Sequence, residues 1–127
     1  MLKNKKLKSI ETIIGKDTVI EGKLTLPTSL RIDGKVIGEI FCEGDVYIGK
    51  SASVEPFISA RNIMIAGSVK GEIVASEKVK IEANGMITGN ISSKGVIIDD
   101  GGVFIGSSSL TENDNVSKTK ELILTNE

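Results

Sequence analysis

The chain of 127 residues contains no histidine and no tryptophan, and its one cysteine is Cys42. Without histidine, and with a single thiol, it can assemble neither a zinc site of the usual His/Cys type nor a Ser-His or Cys-His nucleophile pair. A lone cysteine also excludes an intrachain disulfide. Aromatic residues make up 3% of the chain, so any core must be aliphatic. No apolar run approaches the roughly 18 residues of a transmembrane helix. The formal net charge is −1, which supplies no overall attraction to a polyanion. The basic N-terminus lacks the apolar stretch of a secretion signal, so a cytoplasmic protein is expected.

What the chain does contain is a repeat. Residues 30–40 read Leu-Arg-Ile-Asp-Gly-Lys-Val-Ile-Gly-Glu-Ile, and residues 63–73 read Ile-Met-Ile-Ala-Gly-Ser-Val-Lys-Gly-Glu-Ile. Ile32 maps to Ile65, Gly34 to Gly67, Val36 to Val69 and Gly38-Glu39-Ile40 to Gly71-Glu72-Ile73, at a constant offset of 33. A second frame interleaves with the first. Ile14-Gly15-Lys16 returns 34 residues later as Ile48-Gly49-Lys50, and Val46, Ile48, Val54 and Ile58 return 33 later as Val79, Ile81, Ile87 and Ile91. The opening frame continues from Ile65 to Ile98 and, past one extra residue, from Gly67 to Gly101 and Val69 to Val103, which sets Phe104 at the place of Lys70. Six units result, near residues 13–26, 30–41, 46–60, 63–75, 79–92 and 96–106.

Within each unit aliphatic residues alternate with polar ones, the period of strands with one buried face. Gly and Asn punctuate the strands and supply corner conformations. Short strands and glycine corners recurring about every 17 residues predict an all-β fold, a parallel β-helix of about six coils stacked at about 4.8 Å. Like residues then form ladders, with Ile32 over Ile48 or its neighbours, then Ile65, Ile81 and Ile98, as one. A left-handed hexapeptide helix would repeat at 36 over two coils; the observed 33 to 34 favours a right-handed β-helix. The core is expected over residues 11–106, between a basic tail at 1–10 and a polar, disordered tail at 107–127 whose apolar patch is Leu122-Ile123-Leu124. Cys42 matches Ala75 in the repeat and reads as a small packing residue.

Chemical motifs weigh little against this frame. Gly44-Asp45-Val46-Tyr47-Ile48-Gly49-Lys50-Ser51 fits the pattern of a phosphate-binding loop letter for letter. Such a loop needs a helix starting at its lysine, however, and Val46, Tyr47 and Ile48 belong to a repeat strand. Asp99-Asp100 before Gly101-Gly102 reads as a polar corner; a calcium-assisted polysaccharide lyase would need a strong base as well. No catalytic residue, metal site or cofactor is expected.

Two other features point outward. Met1, Leu2, Lys3, Lys5, Lys6, Leu7 and Lys8 make a short basic segment with apolar residues, suited to an anionic membrane surface. Nucleic acid is not the expected partner, because no aromatic stacking residues accompany the lysines. A β-helix also has two open ends, and no capping helix is legible here. Uncovered strand edges recruit other chains. Ile10, Ile13 and Ile14 at one end, with Val103, Phe104 and Ile105 at the other, are the expected end-to-end contacts.

Together these features resemble the bactofilins, polymer-forming bacterial cytoskeletal proteins. The resemblance covers residues 11–106 and rests on Ile32-Asp33-Gly34-Lys35-Val36-Ile37-Gly38-Glu39-Ile40 and Ile65-Ala66-Gly67-Ser68-Val69-Lys70-Gly71-Glu72-Ile73. It implies a right-handed β-helix of triangular section and nucleotide-free, non-polar filaments joined head-to-head and tail-to-tail. It also implies peripheral attachment to the inner face of the cell membrane, a co-polymerising paralogue, and scaffold clients in cell-shape, wall-synthesis or motility machinery. The competing readings are a carbohydrate-active β-helix enzyme and a monomeric partner-binding β-helix module.

Overall fold

The computed structural model describes residues 10–111 and 117–125, with side chains described for residues 12–110. Every helix or strand among them is a strand. Two strands make each coil: β1 (Ile10–Ile14) with β2 (Val19–Leu26), β3 (Ser29–Ile32) with β4 (Lys35–Cys42), and β5 (Val46–Ile48) with β6 (Ser53–Ala60). The next three coils are β7 (Ile63–Ile65) with β8 (Ser68–Ala75), β9 (Lys78–Ile81) with β10 (Met86–Ser93), and β11 (Gly95–Ile98) with β12 (Val103–Thr111). The odd strands β1 to β11 stack in sequence order as one sheet, and the even strands β2 to β12 stack as another. All pairings between coils are parallel. The expected β-helix of six coils is therefore the fold.

The core is a set of aliphatic ladders. Ile14, Ile32, Ile48, Ile65, Ile81 and Ile98 are successive partners in the odd sheet. In the even sheet Ile20, Val36, Val54, Val69, Ile87 and Phe104 form one ladder, and Leu24, Ile40, Ile58, Ile73 and Ile91 another. From the second coil to the fifth these side chains are almost wholly buried. Each is worth roughly 1.5–3 kcal/mol relative to exposure, so the alternation read from sequence is also the main source of stability.

The even strands β2 to β12 carry a corner at their fourth position. Gly22, Gly38, Gly71, Gly89 and Gly106 stand there with φ between +123° and +148°, and Pro56 takes the place in the third coil. Only glycine adopts that backbone without strain. The corner divides each coil into three sides, the short odd strand and the two halves of the even one. At Gly38, Gly89 and Gly106 it also leaves no room for a side chain, because a Cβ there would overlap the carbonyl oxygen of the glycine one coil earlier.

At a second corner, charges of alternating sign stack from coil to coil. Arg61 Nε donates to Asp45 Oδ1 at 3.0 Å, and Lys94 Nζ lies 3.6 Å from Glu77 Oε2. Backbone hydrogen bonds run from Arg61 to Gly44, from Glu77 to Arg61 and from Lys94 to Glu77, which fixes the order of the column. Exposed pairs of this kind add little stability each. Their arrangement penalises a slip of one coil, since like charges would then meet. Partial burial works against the Asp45 carboxylate, but hydrogen bonds from Arg61 and Asn62 outweigh it and hold its pKa below the usual value.

Cys42 is buried, and its thiol donates to the Thr28 carbonyl at 2.9 Å. Burial, the largest effect, pushes its pKa up. It packs as the repeat indicated.

Two expectations need correction. The polar run after Gly106 was expected to end the pattern, yet β12 continues to Thr111 and pairs with β10 through Leu110. Serines carry the backbone ladder as well as aliphatic residues do, so loss of apolar alternation does not end a strand. Beyond it, β13 (Ser117–Thr125), which spans the apolar patch placed in a disordered tail, pairs antiparallel with β12 along nine positions. The second correction concerns register. Phe104 pairs with Ile87, which pairs with Val69, so Phe104 points into the core and does not take the place of Lys70. The first four coils alternate long and short links between their two strands, four residues in the first and third and two in the second and fourth; the fifth and sixth are both long. The sixth link is thus two residues longer than the fourth, where the sequence comparison allowed for one.

Candidate assembly interface

The two ends of the solenoid differ. At the N-terminal end β1 and β2 are edge strands, and no described strand pairs with their outer side. Ile14 is buried, but Ile20, Leu24 and Leu26 are only half-buried, with no described coil above them. Gly22 marks the same vacancy. Its corner conformation matches the other glycines of the column, yet nothing among the described residues lies within 4 Å of its Cβ direction. In every later coil with glycine at that corner, the place holds a carbonyl of the preceding coil.

At the C-terminal end β11 is the last described strand of the odd sheet, with Val96 and Ile98 half-buried against the core. Phe104 closes its ladder completely, at 0% exposure. Next to it, Ser108 continues the Leu24–Ile91 ladder, so a small residue follows where a large one ended. The β12 edge is occupied by β13.

Of the residues expected at the ends, Ile14 and Phe104 lie on end rungs and face inward. Ile13 and Ile105 alternate with them and face outward, 63% and 40% exposed. Val103, half-buried, is also on the outward side of β12. Ile10 contributes its backbone to β1; its side chain lies outside the described ones. Sequence reading overlooked Ile20, Leu24, Leu26, Val96 and Ile98. Their place as first or last members of each ladder was the available signal.

Met1, Leu2, Lys3, Lys5, Lys6, Leu7 and Lys8 lie outside the described residues. No helix among the described residues is long and apolar enough to cross a membrane. The sequence matching a phosphate-binding loop is β5 and its following corner, with Val46 and Ile48 fully buried and strand β6 after it. Asp99 faces Lys80 at 3.9 Å across neighbouring coils, as a polar corner residue would.

A family model described as bactofilin, polymer-forming cytoskeletal, matches residues 12–109. The chain belongs to the bactofilin family. Bactofilin BacO of Myxococcus xanthus (strain DK1622) is 38% identical over 96 residues, covering 76% of each chain. Bactofilin BacP of the same organism is 33% identical over 95 residues, which are 75% of this chain and 40% of BacP. No solved structure matches. The matched region of this bactofilin runs from the first coil to the last. What aligns is thus the solenoid with both of its ends, and a polymer-forming cytoskeletal family is the setting in which those ends must be read.

Proposed function

We propose that this bactofilin is a scaffold subunit whose solenoids join end to end, without nucleotide, into non-polar filaments. The supporting observation is the unfilled place above Gly22 between half-buried Ile20, Leu24 and Leu26. Among the described residues it is a lattice position with no layer stacked on it. A second subunit would remove these apolar surfaces from water and satisfy the bare edges of β1 and β2. The far end offers Val96 and Ile98 on the odd sheet, with Phe104 beneath and the outward Val103 and Ile105 at the margins. Joining like ends gives a filament without polarity. No step of this assembly calls for catalysis.

Residues 1–8 fit a membrane foot. Four lysines meet anionic lipid at about 1 kcal/mol each while Met1, Leu2 and Leu7 insert. One foot binds weakly, but many on one polymer bind strongly through effective concentration. The filament then lies at the inner face of the membrane and presents its sides to client proteins. BacO and BacP share one organism, and a stack built on common ladders accepts a paralogue as readily as a copy.

The test is negative-stain microscopy and sedimentation of the purified chain without nucleotide. Filaments are expected, and Leu24→Glu should abolish them while leaving the β-sheet circular dichroism intact. A chain that stays monomeric at high concentration rejects the reading.

A further inference from the structure

The third side of each coil, the second half of the even strand, presents two outward columns. One holds Lys23, Glu39, Phe57 and Glu72, and the other Thr25, Phe41, Ser59 and Val74. Phe41 and Phe57 meet there with ring centroids 5.4 Å apart, tilted by 43°. Two of the chain's three phenylalanines are therefore on its surface. Lys23 Nζ already lies 5.1 Å over the Phe41 ring. Phe57 stands in register between Glu39 and Glu72. An aromatic face flanked by two carboxylates is a seat for a lysine ammonium.

The chain itself carries such groups in the residues before Ile10. Ile10 begins β1 opposite Ser29, just after the corner where the third side ends at Leu26. Phe41 is the penultimate residue of that side one coil later. The nine residues before Ile10 can span about 30 Å when extended. Phe57 lies two coils along the axis, only about 10 Å at the usual strand spacing. Those nine residues include Lys3, Lys5, Lys6 and Lys8 with Met1, Leu2 and Leu7, a set that suits acidic rims and aromatic rings alike.

We propose that residues 1–9 dock on the Phe41–Phe57 patch of their own subunit, with a lysine over Phe57 between Glu39 and Glu72 and apolar side chains against the rings and Val74. The seat exists whether or not the segment also meets lipid. If the membrane foot proposed above is correct, the two uses compete, because the same lysines serve both. Lipid affinity is then reduced by the fraction of time the segment is seated.

The test exploits the absence of tryptophan. In the full-length Leu2→Trp protein, below its assembly concentration, fluorescence reports residue 2 alone. Acrylamide quenching should be several-fold weaker than for a peptide of residues 1–10 carrying the same change. Glu39→Lys with Glu72→Lys, and separately the uncharged Phe57→Ser, should raise quenching to the peptide level. On vesicles containing 30% phosphatidylglycerol, Phe57→Ser should bind roughly threefold more tightly than the parent, as release of a seated segment requires. Quenching equal to the peptide in every form overturns the proposal. So does protection that grows with protein concentration, which would put the segment on a neighbouring copy. Protection that Phe57→Ser abolishes, without vesicle binding by any form, would sustain the seat and remove the membrane foot.

Discussion

Gly89 lies directly beneath Gly71 in the even sheet, so close that a methyl group on Gly89 would overlap the Gly71 carbonyl oxygen. With φ at +143°, Gly89 also occupies backbone that side chains resist. Gly89→Ala is expected to cost about 2–4 kcal/mol. Among the described residues nothing lies within 4 Å of the Gly15 Cβ direction, and its φ is not positive, so Gly15→Ala should lie within about 1 kcal/mol of the parent. Thermal melts of the two variants check the contrast; equal melting temperatures would show that the glycine column is not what holds the corner.

Ile48 and Ile13 are both isoleucines of odd strands, but the first is fully buried and the second 63% exposed. Ile48→Ala should destabilise by about 2–5 kcal/mol, and Ile13→Ala by less than about 0.5 kcal/mol. Denaturant titration of both measures it.

The two ends should respond differently to charge. Leu24 is half-buried at the open N-terminal rung, so Leu24→Glu removes assembly at little cost in stability. Phe104 is fully buried, so Phe104→Arg must bury a charge and should cost about 3 kcal/mol or more as well as assembly. Sedimentation paired with thermal melts separates the two. A Phe104→Arg protein that melts like the parent would place that ring outside the core.

The β12 edge is held by β13 along its whole length. Removing residues 112–127 exposes that edge to other chains. The shortened protein is expected to assemble at a lower critical concentration, measured by pelleting across a dilution series. An unchanged threshold would mean that β12 takes no part in contacts between subunits.

Asp45 supplies a pH dependence. Its folded pKa lies below the ordinary value because Arg61 and Asn62 hold the carboxylate. A depressed folded pKa means that the ionised group favours the folded state. Its contribution is complete above the unfolded pKa, near 4, and is lost as pH falls through the folded pKa. Asp45→Asn should therefore lower stability at pH 7 and flatten the acid limb of the curve below about pH 4. A variant whose acid limb superimposes on the parent's would show that the Arg61 pair makes no difference to folding.

Sequence periodicity alone carried the coil count, the ladders from Ile32 to Ile98 and the packing role of Cys42. Inward and outward residues alternate at period two, and equivalent rungs must match in kind, so these features are local and written in composition. Register in the last coil was less legible. A link two residues longer shifts every following partner, and counting along one chain cannot tell which residues belong to the corner.

Only the stacked coils decided which apolar residues are left uncovered. Ile20, Leu24 and Leu26 read like any other rung; they are half-exposed where no described strand lies on the outer side of β2. Phe104 looked like a surface aromatic until its pairing with Ile87 turned it inward. The Phe41–Phe57 contact and its flanking glutamates join residues from different coils, separated by whole repeats along the chain. Alternation dictates which way each side chain faces, but neighbours across the stack determine what it meets, and that is a property of three dimensions.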